Sequence, residues 1–214
     1  MRKRHLKRAV PLRRLAGDKS GLAMIELALI GPLVLMLVFG GLELAWYAQA
    51  QLRVNQIAMT VADNGGRVMS GIDEANIHEI FAGADVIGGP IAFRQHGRVV
   101  LSSLQDNTLT GANAGQMINW QRCWGDLAAA PAYGAQDKGR TNATLAQGMG
   151  RAGRRITSSA GTAVMFVEAT YDYQPLIGRG WYDLPDIRVE SALNVRGRKN
   201  QDITNTQGLT VRRC

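Results

Sequence analysis

One long apolar run near the N-terminus constrains this chain more than any other feature. The run extends from Leu22 to Tyr47 and is interrupted only by Glu26 and Glu43. A membrane-spanning helix needs about 20 predominantly apolar residues, so this run is long enough to cross a bilayer. A carboxylate inside such a segment costs about 2.5–3.5 kcal/mol on insertion scales and usually marks function. Glu26, at the start of the run, is therefore the first candidate functional residue.

The charge of the chain is concentrated ahead of this run. The formal net charge is +8, and residues 1–21 hold eight Lys and Arg residues against Asp18 alone, so the remainder is nearly neutral. A basic cluster directly before an apolar segment keeps that end of the chain in the cytoplasm. Recognition of DNA or RNA needs a basic face on the folded domain, and we therefore expect no nucleic-acid partner.

A cleavable secretory signal would share much of this pattern, with Ala48-Gln49-Ala50 as its cleavage site. Its apolar region would be unusually long, however, and the helical pattern continues past Ala50 through Leu52, Gln56 and Met59. We therefore favour a retained membrane helix, with the cleaved signal as the alternative.

A retained helix from Leu22 to about Asn64 would be roughly 65 Å long at 1.5 Å per residue. Only about half of it fits in a bilayer, so the second half must protrude. Gly65-Gly66 are expected to end the helix, because glycine is common just past a helix C-terminus.

Several residues inside the span depart from a plain apolar helix. Pro32 removes one backbone hydrogen bond and is expected to kink the helix. Glu43 lies near the outer boundary, where its carboxylate can reach water or contact another subunit. The glycines of the uncharged stretch that begins at Leu27 either allow close helix packing or reflect the usual glycine content of membrane helices. They are Gly31, Gly40 and Gly41.

Two N-terminal stretches carry a recognisable pattern. Gly21–Pro32 places a glutamate five residues after a glycine that closes a basic leader and has an early proline, and Phe39–Glu43 adds a second glutamate. The pattern resembles the TadE family, minor pseudopilins of the tight-adherence (Flp-type) pilus of bacteria. Val167–Leu176 is similar to that family's tyrosine- and proline-bearing strand, and Ser191–Arg198 is similar to its closing segment.

The resemblance implies a processing site and a set of partners. An inner-membrane prepilin peptidase would cut between Gly21 and Leu22, which makes Glu26 the fifth residue of the mature chain. The new amine of Leu22 would then pair with the Glu26 carboxylate of an adjacent subunit, so that each offsets the other's burial. Local pairing of Glu26 with Lys19 is the alternative. The implied partners are other pilin-like subunits and the pilus assembly platform, with roles in secretion and cell adhesion.

The predicted organisation follows from these observations. Residues 1–21 form a cytoplasmic leader, residues 22–66 a transmembrane helix with a protruding half, and residues 67–214 a periplasmic domain. The expected location is the bacterial inner membrane, as a single-pass protein that could also enter a pilus.

The outer domain is predicted to be a small α+β domain with a mainly antiparallel sheet packed on the protruding end of the long helix. Residues Asp73–Phe81 are predicted to be helical, with Asp73 as N-cap. Ile91–Phe93 and Val99–Leu101 are expected to pair as a hairpin. Further strands are predicted at Met117–Trp124, Thr162–Tyr173 and Ile187–Val195, and loops at Ala112–Gly115 and Ala128–Gly161.

Cys123 and Cys214 are the only cysteines of the chain. Both fall on the predicted outer side, where an oxidising compartment favours a disulfide. The alternative is a free, partly buried Cys123 and a frayed terminal Cys214.

Catalytic signatures do not emerge from the sequence. His78 and His96 have no metal-ligand partners nearby, and no metal or cofactor is expected. Gly148–Gly153 matches Gly-x-Gly-x-x-Gly, but no apolar strand precedes it, and we interpret it as a basic loop. The sequence therefore predicts a non-enzymatic pilus-assembly protein. The alternatives are a signal-anchored envelope domain that binds a periplasmic partner, and an enzyme secreted after cleavage at Ala50.

Overall fold

A computed structural model describes residues 20–178 and 184–214, and the basic leader with Lys19 lies outside the described residues. The chain divides into two units, Met1–Leu44 and Ala45–Cys214. The architecture is a long N-terminal apolar helix followed by a small domain with an antiparallel sheet and helices. The predicted α+β fold class is confirmed.

The long helix α1 runs from Ser20 to Arg67. Among the described residues, one helix is long and apolar enough to cross a membrane, and it covers Gly21–Arg67. The outer part of α1 is amphipathic, because buried apolar residues recur every three or four positions and line one face. These buried residues are Ala50, Val54, Ile57, Ala58, Val61 and Ala62.

The prediction that Gly65-Gly66 end the helix is wrong, because α1 continues to Arg67. Both glycines are buried and mark places where the helix meets the sheet closely. A Cβ atom at Gly65 would lie 3.3 Å from Cγ of Met165, and one at Gly66 would lie 3.2 Å from the carbonyl oxygen of Asn194. Packing against a sheet, rather than helix termination, therefore accounts for this pair.

A two-residue strand β1 (Ile72–Asp73) leads into helix α2 (Glu74–Gly88). Asp73 is the N-cap, as predicted: its Oδ1 accepts a hydrogen bond from the Ala75 N–H at 3.0 Å. The Asn76 side chain accepts from the Asp73 N–H in return, also at 3.0 Å. Hydrogen bonds from Ala75, Thr204 and Thr206 to its carboxylate lower the pKa of Asp73 to about 2. The helix extends past the predicted end at Phe81 by about two turns, because its apolar face continues to Ala84 and Gly88.

The hairpin predicted around residues 94–98 is wrong. Gly89–Ile91 forms a short 3₁₀ helix, and Phe93–His96 forms the single helical turn α3. The Phe93 ring is fully buried and lies against Gly97, where an added Cβ would be only 2.6 Å from ring carbons. Phe93 is therefore a core residue of a helical turn rather than one of a strand.

The main sheet has four antiparallel strands. They are β2 (Gly97–Asp106), β3 (Gln116–Trp124), β4 (Ala163–Tyr171) and β5 (Ile187–Asn194). Their spatial order is β3-β2-β4-β5. The strands predicted near residues 117–124, 162–173 and 187–195 are confirmed as β3, β4 and β5.

The register of β2 against β3 shifts between Ser103 and Leu104, so that Asn119 is an extra residue in β3. A two-residue strand β6 (Ile203–Thr204) pairs in parallel with β1.

The two faces of the sheet are covered differently. Successive residues of a strand point to opposite faces, so Met165 and Val167 of β4 join the core formed with α1 and α2, while Phe166 joins a second cluster. Leu145 and Met149 of the long segment between β3 and β4 complete this second cluster. Apart from an isolated bridge between Met149 and Ile156, this segment has no regular secondary structure, as predicted. This segment between β3 and β4 therefore covers one face of the sheet and is called the covering segment.

The other predicted loop, Ala112–Gly115, overlaps a 3₁₀ turn at Gly111–Asn113.

Candidate functional site

The inner half of α1 presents an uncovered apolar surface. From residue 21 to residue 42, every side chain is exposed or half-exposed, with Met24 at 70% and Leu29 at 74% exposure. A contiguous surface of this size is not stable in water and marks a membrane or protein interface. This surface, residues 21–42 of α1, is called the apolar helix surface below.

The predicted processing residues lie on this surface. Gly21, Leu22 and Glu26 are all helical and exposed. Leu22 and Glu26 are four residues apart, so they lie on the same face of the helix, one turn from each other. A Cβ added at Gly21 would meet nothing within 4 Å. Packing within the chain therefore gives no reason for a glycine at this position.

The other predicted residues of the span, apart from Glu43, are exposed or half-exposed. Leu27, Pro32 and Gly41 are exposed, while Gly31 and Gly40 are half-exposed. The helix continues through Pro32, whose ring nitrogen cannot donate to the carbonyl four residues earlier. Added Cβ atoms at Gly31 and Gly41 would also meet nothing within 4 Å. These two small residues leave room for a neighbouring helix to approach closely.

Glu43 differs from the rest of the span. It is buried, with 1% of its surface exposed. The two interpretations of Glu43, a carboxylate that reaches water and one that contacts another subunit, stay predictions.

Arg198 fixes the end of α1 and was not singled out by the sequence analysis. Its Nη1 donates to the carbonyl oxygens of Gly65 and Val68, each at 3.3 Å, and its Nε donates to Oε1 of Gln201 at 2.9 Å. The side chain is buried, and burial lowers the pKa of Arg198. A guanidinium suits the unpaired carbonyls at a helix C-terminus. The Arg-Gly-Arg sequence that closes the β5 region is the only sequence signal for this contact.

The tyrosines of the β4 region serve packing. The Tyr171 hydroxyl donates to the carbonyl oxygen of Ile91 at 2.7 Å, and its ring stacks on Phe93 at 5.8 Å. Tyr173 contacts Tyr47 of α1 edge-on, with ring centroids 4.9 Å apart. These rings connect the outer part of α1 and the α3 turn to the sheet.

Comparison with known families gives a match within helix α1. Residues 21–63 match the family model described as TadE-like protein. Over these residues the N-terminal helix is similar to that family. The match covers the apolar helix surface and most of the packed outer half of α1. Comparisons with curated proteins and with solved structures gave no match.

Outside the TadE-like helix, the predicted disulfide is present between Cys123 and Cys214. The two residues are 91 positions apart in the chain, and their Cα atoms are 5.0 Å apart. The Cys123 N–H also donates to the carbonyl oxygen of Arg212 at 2.8 Å. The C-terminal segment is therefore held along β3, the edge strand of the sheet.

A buried ion pair joins α2 to the sheet. Glu74, in the first turn of α2, is 1% exposed, and Arg122 of β3 is 5% exposed. Arg122 Nε donates to Oε1 of Glu74 at 2.8 Å, and its Nη2 contacts the same oxygen. Removal of one partner would strand the other charge in the core.

A pair of carboxylates lies on the opposite face of the sheet. Glu168 of β4 is paired directly across from Glu190 of β5. Glu168 is 9% exposed, and its Oε2 accepts from the Ala132 N–H at 3.1 Å. Burial, with a contribution from Glu190, raises the pKa of Glu168 to about 7. The Tyr133 hydroxyl donates to Oε1 of Glu190 at 2.6 Å, and its own pKa is raised by burial.

The remaining sequence candidates are placed without forming a ligand site. Gly148 and Gly150 adopt positive φ angles of 75° and 120° in the covering segment, and no strand precedes them there. His78 lies 2.9 Å from the carbonyl oxygen of Thr210. Within residues 20–178 and 184–214, no group of three or more His, Cys, Asp or Glu side chains could hold a metal ion.

Proposed function

We infer that this chain is a non-enzymatic, pseudopilin-like subunit for assembly of a tight-adherence (Flp-type) pilus, processed after Gly21. The observation that carries this inference is the TadE-like match over a helix whose inner half is an uncovered apolar surface. Glu26 is the one charged residue of that surface between Leu22 and Leu42. Such a residue in a membrane segment usually has a functional partner.

The proposed mechanism begins with removal of the leader by a prepilin peptidase. Cleavage after Gly21 creates an amine at Leu22, one helical turn from Glu26 and on the same face. In a bundle of such helices, the amine of one subunit pairs with the Glu26 carboxylate of its neighbour. Each charge then offsets the desolvation of the other. The exposed positions Gly31 and Gly41 allow the helices to approach closely.

The proposed topology is a single pass through the bacterial inner membrane. The basic leader favours a cytoplasmic N-terminus, and the disulfide between Cys123 and Cys214 suits the oxidising periplasm. The domain that follows α1 is then displayed on the periplasmic side, where it contacts other pilin-like subunits or the assembly platform.

A complementation experiment tests this function. In a strain that lacks the chain, we expect wild-type protein to restore pili and surface adhesion, and Gly21→Ala and Glu26→Gln to fail although both variants insert in the membrane. Glu79→Gln, which changes an exposed carboxylate of α2, is the matched control and should behave as wild type.

Full activity of both variants would contradict the proposal. It would favour the alternative of a signal-anchored envelope domain, because such a domain needs neither residue.

A further inference from the structure

A cleft of about 630 Å³ opens between the outer half of α1, strand β5 and the glycine-rich part of the covering segment. One wall is the α1 face that includes Gln51, Leu52 and Asn55. Leu52 is 70% exposed although it lies in the half of the helix that packs on the sheet. Phe166 of β4 lies at the base of the cleft and is almost fully buried. The cleft therefore combines apolar side chains with amide donors.

The rim of the cleft is basic. Its charged residues are Arg151, Arg154, Arg188 and a single acid, Glu190. Arg151 Nη2 donates to the carbonyl oxygen of Arg188 at 3.1 Å, which holds its guanidinium at the edge of β5. Glu190 accepts the Tyr133 hydroxyl and is paired with Glu168 across the sheet. The side chain of Arg188 is 71% exposed, and its Nη2 lies 3.9 Å from Oδ2 of Asp186, a loose and exposed ion pair. The guanidinium groups can therefore receive an anionic group, and arginine matches phosphate oxygens in a bidentate manner.

The position of the cleft along α1 indicates where such an anion comes from. Trp46 and Tyr47 directly follow the apolar helix surface, and these residue types are enriched at membrane–water interfaces. Ala48–Asn55 begins immediately after them and extends about 12 Å further at 1.5 Å per residue. The headgroup layer on each side of a bilayer is about 5–8 Å thick. The α1 wall of the cleft thus starts at the depth of the lipid headgroups.

We propose that this cleft binds the phosphate-bearing headgroup of an anionic phospholipid of the outer leaflet. The arginine rim contacts the phosphate, Gln51 and Asn55 donate to headgroup oxygens, and Leu52 contacts the apolar base of the lipid. A lipid headgroup can be bound only at the depth of the headgroup layer, where this cleft begins. A site for a protein segment could lie at any distance from the membrane. This proposal needs a membrane-spanning α1 but is independent of processing and of pilus assembly.

The test is calorimetric titration of the full-length protein in an uncharged detergent. The ligands are dioctanoyl phosphatidylglycerol and dioctanoyl phosphatidylcholine, which differ in net charge. We expect the anionic lipid to bind at least about tenfold more tightly. The double variant Arg151→Gln/Arg154→Gln should weaken its binding about tenfold or more, since each basic residue near an anionic lipid contributes substantially.

The matched control is Arg94→Gln/Arg213→Gln, which removes the same charge from two exposed arginines outside the cleft. It should leave binding unchanged. Equal binding of the two lipids, equal losses in both double variants, or no loss in the cleft variant would each overturn the proposal. Displacement of the lipid by an equal concentration of inorganic phosphate would also overturn it, because the site would then be one for a free anion.

Discussion

Glu168 shows how a single buried carboxylate makes the stability of this domain depend on pH. Burial and the facing Glu190 raise the pKa of Glu168 to about 7. In the unfolded chain the same group has an ordinary pKa near 4.5. Between these values the folded state binds a proton that the unfolded state does not, so the free energy of unfolding falls as pH rises through this window.

We therefore expect the protein to be less stable at pH 8 than at pH 5.5. The contribution of Glu168 to this difference is about 2 kcal/mol, from 1.36 kcal/mol per unit over the roughly 1.5 units between pH 5.5 and the folded pKa. Glu168→Gln keeps the hydrogen bond from Ala132 but cannot ionise, so it should be more stable than wild type at pH 8. Denaturant unfolding at the two pH values measures both effects. An unchanged pH profile in Glu168→Gln would contradict the assignment, and Glu79→Gln is the exposed control.

Residue roles could be predicted from sequence where the signal is local. Asp73 was recognised as an N-cap because its partner is Ala75, two positions away, and Glu26 stood out because its neighbours are apolar. Arg198 was missed because its partner Gly65 is 133 residues distant in the chain. The raised pKa of Glu168 could not be predicted from sequence either, since it depends on burial in the folded domain and on strand pairing with Glu190.

At the level of elements, Gly65 and Gly66 allow the C-terminal end of α1 to approach the sheet closely. The backbone carbonyl of Asn194 lies where a Cβ at Gly66 would need space, and the Arg196 N–H donates to the Gly66 carbonyl at 3.0 Å. Because this hydrogen bond holds the backbone at Gly66 against the sheet, the helix cannot easily move away to make room for a side chain. Gly83 of α2 is different, because a Cβ there would meet nothing within 4 Å.

Gly66→Ala and Gly83→Ala are therefore a matched pair. Alanine favours a helix over glycine by about 0.8–1.0 kcal/mol, and Gly83→Ala should gain a stabilisation of this order. Gly66→Ala should instead be destabilised by about 1–3 kcal/mol, the usual cost of overpacking. Thermal unfolding of both variants compares them directly. Equal stabilisation of the two would show that the helix does not approach the sheet at Gly66.

Strands β3, β4 and β5 could be predicted because each has the alternation or β-branched composition of a strand. The hairpin between residues 91 and 101 was wrong because Ile91 and Phe93 are apolar for another reason. They fill the core from a 3₁₀ turn and from α3, and periodicity over three residues cannot distinguish these cases. The helix end predicted at Gly65-Gly66 was wrong for a similar reason, because glycine is favoured both at close packing contacts and at helix ends.

On the scale of the whole molecule, the disulfide connects the chain end to the edge of the sheet. It spans 91 positions, and in the chain-entropy model a loop of this size stabilises the folded state by about 4–5 kcal/mol. We expect a reductant, or Cys214→Ser, to lower the free energy of unfolding by up to this amount. Denaturant titration with and without reductant measures it, with Cys214→Ser as the reductant-insensitive control. No change on reduction would mean that the bond does not form in the purified protein.

One continuous helix, α1, carries the apolar helix surface in its first half and packs on the sheet in its second half. The apolar helix surface needs a membrane or other helices, and in the proposed function processing after Gly21 prepares it for these contacts. The other steps of the proposed function depend on processing after Gly21.

The most direct test is intact-mass spectrometry of the protein purified from membranes. We expect a mature chain that starts at Leu22, and accumulation of the full precursor in Gly21→Ala. A wild-type chain that still starts at Met1 would contradict processing and leave a plain membrane anchor. A start at Gln51 would show instead that a secretory signal had been removed.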